Sequence, residues 1–182
     1  MKIARVLGSV VIALLVIAVT SSCQQQMSEP TAPQVDLEAM RSAFVAAWND
    51  GEVDRYDTIC MPDYVAHEVA SQVTIEGLES YKEWMRSIRA AFPDMDWRID
   101  DILAAGNKVA ALWSWSGTHT GTLPASPLYA ELPATGETVS SSGVAVFHLV
   151  DGMISESWSY SDMLAPLQQL GFTITPPAEA SE

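Results

Sequence analysis

The order of patterns along this chain predicts an α+β fold, with helices first and a curved sheet of antiparallel strands after them, folded around a small-molecule pocket. Three observations carry that prediction. Apolar residues recur at helical spacing between residues 36 and 93. From Lys108 onward the pattern changes to strand-like runs divided by turn signals. Within those runs a few polar groups sit among aromatics, as in Trp113-Ser114-Trp115-Ser116-Gly117-Thr118-His119-Thr120-Gly121.

The first helix is predicted over 36–49. Leu37, Met40, Phe44, Ala47 and Trp48 share one face, Asp36 is an acid at the start, and Asp50-Gly51 ends it. A short helix over 53–60 follows, broken at Pro62-Asp63, and Tyr64 to His67 is extended. A third helix, from Gly77 to Pro93, buries a stripe of Leu78, Tyr81, Trp84, Met85, Ile88 and Phe92. Strands are predicted over 96–103, 108–118, 139–150 and 153–160. A last helix spans 163–170, with Pro166 in its first turn, where proline is tolerated.

Asp151-Gly152 is a hairpin turn. A two-residue loop pairs Val150 with Met153, whereas a three-residue loop pairs Leu149 with Met153. The difference matters because a one-residue slip flips every side chain. The residues alone leave both registers open. The three-residue loop would set Gly143, Ala145, Phe147 and Leu149 on one face with Ser155, Ser157 and Ser159, and that small-residue face would leave space for a pocket. Along the strand from Lys108, the face with Trp113, Trp115 and His119 is the buried one.

Residues 1–22 have the layout of an export signal: Lys2 and Arg5, an apolar run from Val10 to Val19, then Thr20-Ser21-Ser22. The following Cys23 resembles the lipidated cysteine of a bacterial lipobox, although Thr20 stands where leucine is usual. The alternative is an uncleaved anchor, but the run is shorter than the roughly 20 residues a span needs. The expectation is an exported, membrane-anchored lipoprotein facing the periplasm or cell exterior, held by lipid alone. Residues 23–35 are polar and carry two prolines, which suits a flexible tether, and 173–182 are a tail. The domain is 36–172, one ordinary unit.

The net charge is −14, and removing residues 1–22 brings it to about −16, which argues against nucleic acid as a partner. With Cys23 lipidated, Cys60 cannot form an internal disulfide and is expected to be a buried core residue. The three histidines show no metal-ligand spacing, and no phosphate-cradling glycine loop is present, so neither metal nor cofactor is expected.

The chain resembles the SnoaL-like polyketide cyclase (ester cyclase) group of the NTF2-like superfamily. The matching pieces are Trp48-Asn49-Asp50-Gly51-Glu52-Val53-Asp54, Asp63 to His67, Gly77-Leu78-Glu79, Ala91-Phe92-Pro93-Asp94, Ser116 to Gly121, Pro133 to Gly136, Val150-Asp151-Gly152 and Trp158 to Gly171. The resemblance implies a cone: a curved antiparallel sheet around helices, with a deep apolar pocket, commonly as a homodimer. The cyclases work without metal or cofactor. Their acid/base aspartate on the last strand falls on Ser159 here, and an assisting histidine falls on Ala145. Both positions point inward in the family, and that resemblance is what favours the three-residue loop in the 150–153 hairpin. A serine cannot abstract a carbon-bound proton at neutral pH without a base of its own.

Three polar residues are therefore candidates for catalysis. Asp162 matches a family acid and is either a general base or a helix cap. His119 either polarises a carbonyl or is bonded to backbone. His67 matches a family position near the pocket mouth. The pocket set is Trp48, Tyr64, His67, Trp113, Trp115, Ala145, Phe147, Ser157 and Ser159, with the tryptophans forming either a cradle or plain core. His148 faces away from the pocket. The stretch from Leu123 to Pro133 is either a lid or an insertion. Three functions follow: a cyclase, isomerase or hydratase using His119 and Asp162; a tethered binder of a small apolar or aromatic molecule; or a protein-interaction module with a filled cone.

Overall fold

The computed structural model describes residues 35–173 and 175. The export signal, Cys23, the tether up to residue 34 and the rest of the tail lie outside the described residues.

Asp36 caps α1 (Leu37–Val45), its carboxylate accepting N–H bonds from Glu38 and Ala39 at 3.1 and 3.0 Å. The helix then widens into a π turn, Ala46–Asp50, closed by Gly51 at φ 77°. Asn49 in that turn clamps the Trp97 backbone, donating to its carbonyl at 3.0 Å and accepting from its N–H at 2.7 Å. A 3-10 turn (Val53–Thr58) leads to β1 (Cys60–Glu68) and β2 (Val73–Glu76). Then come α2 (Leu78–Ala91), β3 (Asp96–Ala105), β4 (Lys108–Thr118), β5 (Thr138–Val150), β6 (Met153–Ser161) and α3 (Leu164–Gln169). Lys82 of α2 is buried and holds the 3-10 turn, with Nζ 2.7 Å from Asp57 and 3.2 Å from Asp54.

The six strands form one curved, open sheet in the order β2-β1-β6-β5-β4-β3. Four neighbouring pairs are antiparallel, as expected, but β1 and β6 run parallel. Helices cover the concave face. Phe44 of α1 stacks on Phe147 of β5 with centroids 5.1 Å apart, and Met40, Phe44 and Met85 are buried between the layers. The α+β cone implied by the resemblance is therefore present.

The β5–β6 hairpin departs from its expected turn but reaches the expected faces. Asp151 and Gly152 both take positive φ (51° and 84°), and Val150 pairs with Met153 across a two-residue loop. Such a turn matches the strand twist, and aspartate tolerates its first position. On its own this register would turn the serines outward. A bulge corrects it: Leu149 pairs with Ile154 but His148 with Glu156, so Ser155 is the extra residue. The Ser155 hydroxyl donates to the His148 carbonyl at 3.3 Å. Beyond the bulge Phe147 faces Ser157 and Ala145 faces Ser159.

At the far end of β4 the chain crosses the end of α2. Thr120 and Gly121 both donate N–H bonds to the Ala91 carbonyl, at 3.0 and 3.1 Å. A Cβ on Gly121 would overlap the Ala90 carbonyl oxygen, so only glycine allows this approach.

Candidate functional site

The cone is hollow. A cavity of about 340 Å³ lies between the helices and the concave face of the sheet. One side is a run of indoles. Trp84 meets Trp48 edge-on at 5.8 Å, Trp48 stacks on Trp97 at 6.3 Å, and Trp97 stacks on Trp113 at 6.5 Å. Trp113 lies across Gly143, where a Cβ would come within 2.5 Å of the ring. Glycine there is what lets the indole lie flat on the sheet. The lining also includes residues of the 123–132 stretch, a narrow loop bridged at Leu123–Leu132 and Ser126–Tyr129, with Met163 just before α3 and Leu167 within it.

The opposite side is polar and comes from the parallel β1–β6 pair. Tyr64, Ala66 and Glu68 alternate inward on β1, as do Ser157, Ser159 and Ser161 on β6. The Tyr64 hydroxyl and Ser157 Oγ are 2.6 Å apart, both buried. Two residues beyond Ser157, Ser159 stands directly opposite Glu68, which is four residues on from Tyr64. The cavity itself reaches Glu68, so the carboxyl keeps some accessible surface while protein encloses it. Burial pushes that carboxyl up to about 7, with the Ser159 hydroxyl acting in the other direction. Burial also pushes the phenols of Tyr56, Tyr64 and Tyr81 far up, so all three are neutral proton donors. Cys60 is buried and desolvation raises its thiol, so it is an inert core residue.

Eight of the nine expected pocket residues line the cavity: Trp48, Tyr64, Trp113, Trp115, Ala145, Phe147, Ser157 and Ser159. His67 does not. It has the opposite parity to Tyr64 and lies on the outer face, stacked on Trp158 at 5.1 Å. There its Nε2 is 2.8 Å from Glu156 and its Nδ1 is 3.2 Å from Thr74. His148 shares that face and also packs on Trp158.

The other two polar candidates also miss the cavity. Asp162 accepts N–H bonds from Leu164 and Ala165 at 3.0 and 3.2 Å, so it is the cap of α3. His119 is fully buried outside the lining, tilted on Phe92 at 5.2 Å. Its Nδ1 accepts from the Thr135 N–H at 3.2 Å, which leaves the proton on Nε2. That atom has no partner among the described residues, and burial lowers the imidazole pKa. The His119–Asp162 pair expected from the sequence is thus not assembled.

Glu68 was missed because the predicted strand stopped at His67. The signal was present in the alternation of Tyr64, Ala66 and Glu68. Among the described residues, no group of three or more histidine, cysteine or acidic side chains could hold a metal ion.

A curved sheet wrapped on helices around an aromatic cavity defines an NTF2-like pocket protein. Residues 38–170 match the SnoaL-like polyketide cyclase family, and the chain belongs to that family. It is similar to TsrD from Streptomyces laurentii at 25% identity, over 76% of this chain and 98% of that one, with a TM-score of 0.64. A provisionally assigned polyketide cyclase from Acidithiobacillus ferrooxidans is 28% identical over 74% of this chain and 92% of that one, with a TM-score of 0.62. A SnoaL-like protein from Jannaschia sp. CCS1 shares the fold, at 21% identity and a TM-score of 0.66, over 84% of this chain and 99% of that one. No curated protein matches the chain.

Proposed function

We propose that this protein performs cofactor-free acid–base chemistry, of cyclase or isomerase type, on a small flat apolar molecule, with Glu68 as the acid/base. The observation that carries this is a carboxyl lining an indole-walled cavity directly opposite Ser159, where burial pushes its pKa up to about 7. A base poised near neutrality both holds and releases a proton at working pH. In this reading the acid lost at the family's position has been replaced from the neighbouring strand, since Glu68 pairs with Ser159 across β1 and β6. The indoles supply the binding energy and fix the plane of the ligand.

The test is deuterium uptake at the α-carbons of 2-tetralone, a flat enolisable ketone, followed by proton NMR in D2O. The expected result is catalysed exchange whose rate rises as Glu68 ionises near pH 7 and falls by about 100-fold or more in Glu68→Gln. Binding without exchange in the unaltered protein would leave a non-catalytic binder, the reading favoured by serine at position 159.

The start of the chain supports export and lipid tethering at Cys23, which would place the pocket outside the cytoplasm at a membrane surface. Metabolic labelling with a radioactive fatty acid tests this: label should enter the unaltered chain and be absent from Cys23→Ala.

A further inference from the structure

The polar wall contains a second pair that the base does not use. On the same two strands, Ser157 lies one pleat repeat before Ser159 and Tyr64 two repeats before Glu68, in a wall otherwise facing indoles. Each hydroxyl has one proton, and only one is spent on the 2.6 Å bond between them. Either oxygen can be the donor; the phenol is the stronger acid, and with Tyr64 donating, Ser157 accepts. The Ser157 proton then has no acceptor among the described residues, although the side chain is 4% exposed and lines the cavity. A buried hydroxyl proton left unpaired in an apolar chamber is costly, and a ligand oxygen would relieve that cost.

We propose that the Tyr64–Ser157 pair is the oxygen-binding half of the site. Ser157 donates to a carbonyl or enolate oxygen of the ligand, and Tyr64 is the positioning residue that directs the serine proton into the cavity. For its chemistry this rests on the reading of Glu68 above; for its binding role it stands alone. Ser157 and Glu68 are diagonal neighbours across β1 and β6, since Ser157 pairs with Ala66 and Glu68 with Ser159. Such a diagonal is roughly 7–8 Å, room for a hydrogen bond of about 2.8 Å to the carbonyl oxygen at one end and for the α-carbon beside the carboxylate at the other. With an enolisable ketone, the Glu68 carboxylate takes the α-proton. The C–H electron pair becomes the new C=C bond, and the carbonyl π pair moves onto oxygen, where Ser157 stabilises it. Return of the proton from the Glu68 carboxylic acid to carbon completes the cycle, with no net oxidation. A donor aimed at charge that develops in the transition state lowers the barrier more than it tightens ground-state binding.

The experiment compares 2-naphthol, which carries an oxygen on a flat ring system, with naphthalene, which has none. Binding of each to the full chain is measured by fluorescence. The unaltered protein should prefer 2-naphthol, and that preference should fall about 10-fold in Ser157→Ala, or in Ser157→Cys should the alanine variant not fold. Tyr64→Phe should lower it by about 3-fold or more, and the double variant no further than Ser157→Ala, because Tyr64 acts through the serine. Naphthalene affinity should stay within about 2-fold throughout. The assignment is overturned if the unaltered protein shows no preference, if the preference survives both single changes, or if naphthalene affinity falls equally. The two readings separate cleanly. Loss of preference in Ser157→Ala, with exchange intact in Glu68→Gln, removes Glu68 alone, and the reverse pair of results removes the hydroxyl pair alone.

Discussion

Glu68→Gln should make the protein more stable at pH 8, and by less than half as much at pH 5. The carboxyl rises from 4.5 in the unfolded chain to about 7 in the fold, mainly through burial. Between those values the native state holds a proton that the unfolded state has released, so stability falls as pH rises through that window. A shift of this size corresponds to about 3 kcal/mol at 1.36 kcal/mol per pKa unit. Water reaching the carboxyl through the cavity reduces that, so about 2 kcal/mol is the expected gain at pH 8. Glutamine is neutral at both pH values and can still hydrogen-bond Ser159. The assay is urea unfolding of both proteins at pH 5 and pH 8, read as midpoints at constant m. Equal differences at the two pH values, or a glutamine variant no more stable at pH 8, would refute the buried ionisation of Glu68.

His119 acts with the opposite sign. Burial lowers its pKa below 6.5, so the unfolded chain binds the proton more readily and stability falls as pH drops below 6.5. His119→Phe, which keeps the packing on Phe92 and removes the unpartnered Nε2–H, should lessen that acid loss in thermal melts at pH 5 against pH 8. An acid loss of the same size in both proteins would count against it. Gly121→Ala should cost about 1–3 kcal/mol in urea unfolding, because its methyl group meets the Ala90 carbonyl. A neutral result would mean that the α2–β4 junction relaxes freely.

Local signals carried the order of elements. The acid expected at the helix start, Asp36, is its cap, and Gly51 closes the turn after α1. Side-chain parity placed Trp113 toward the cavity, and the family resemblance placed Ser157 and Ser159 there even though the hairpin loop was misjudged, because the Ser155 bulge shifts the register by one and restores the same faces. Hydrophobic patterning constrains which face is buried more tightly than it constrains the turn. Non-local facts were hidden. The parallel union of β1 and β6 leaves no mark in either strand, and β2, with only four residues, gave no pattern. Asp162 and His119 looked functional because chemistry-bearing side chains also serve as caps and anchors. The alternation of Tyr64, Ala66 and Glu68 pointed Glu68 inward, but only the packing of strands distant in sequence sets it opposite Ser159 at the cavity.

The union of β1 and β6 also sets a timetable. The two oxygens joined at 2.6 Å belong to residues 93 positions apart, so the polar wall closes only after nearly the whole chain is present. Contacts at such separation form slowly and late. A chain interrupted before residue 157 would carry its aromatic half and the carboxylate but no serines to meet them. The chamber thus gains its chemical character in the final act of folding, which ties competence to completion.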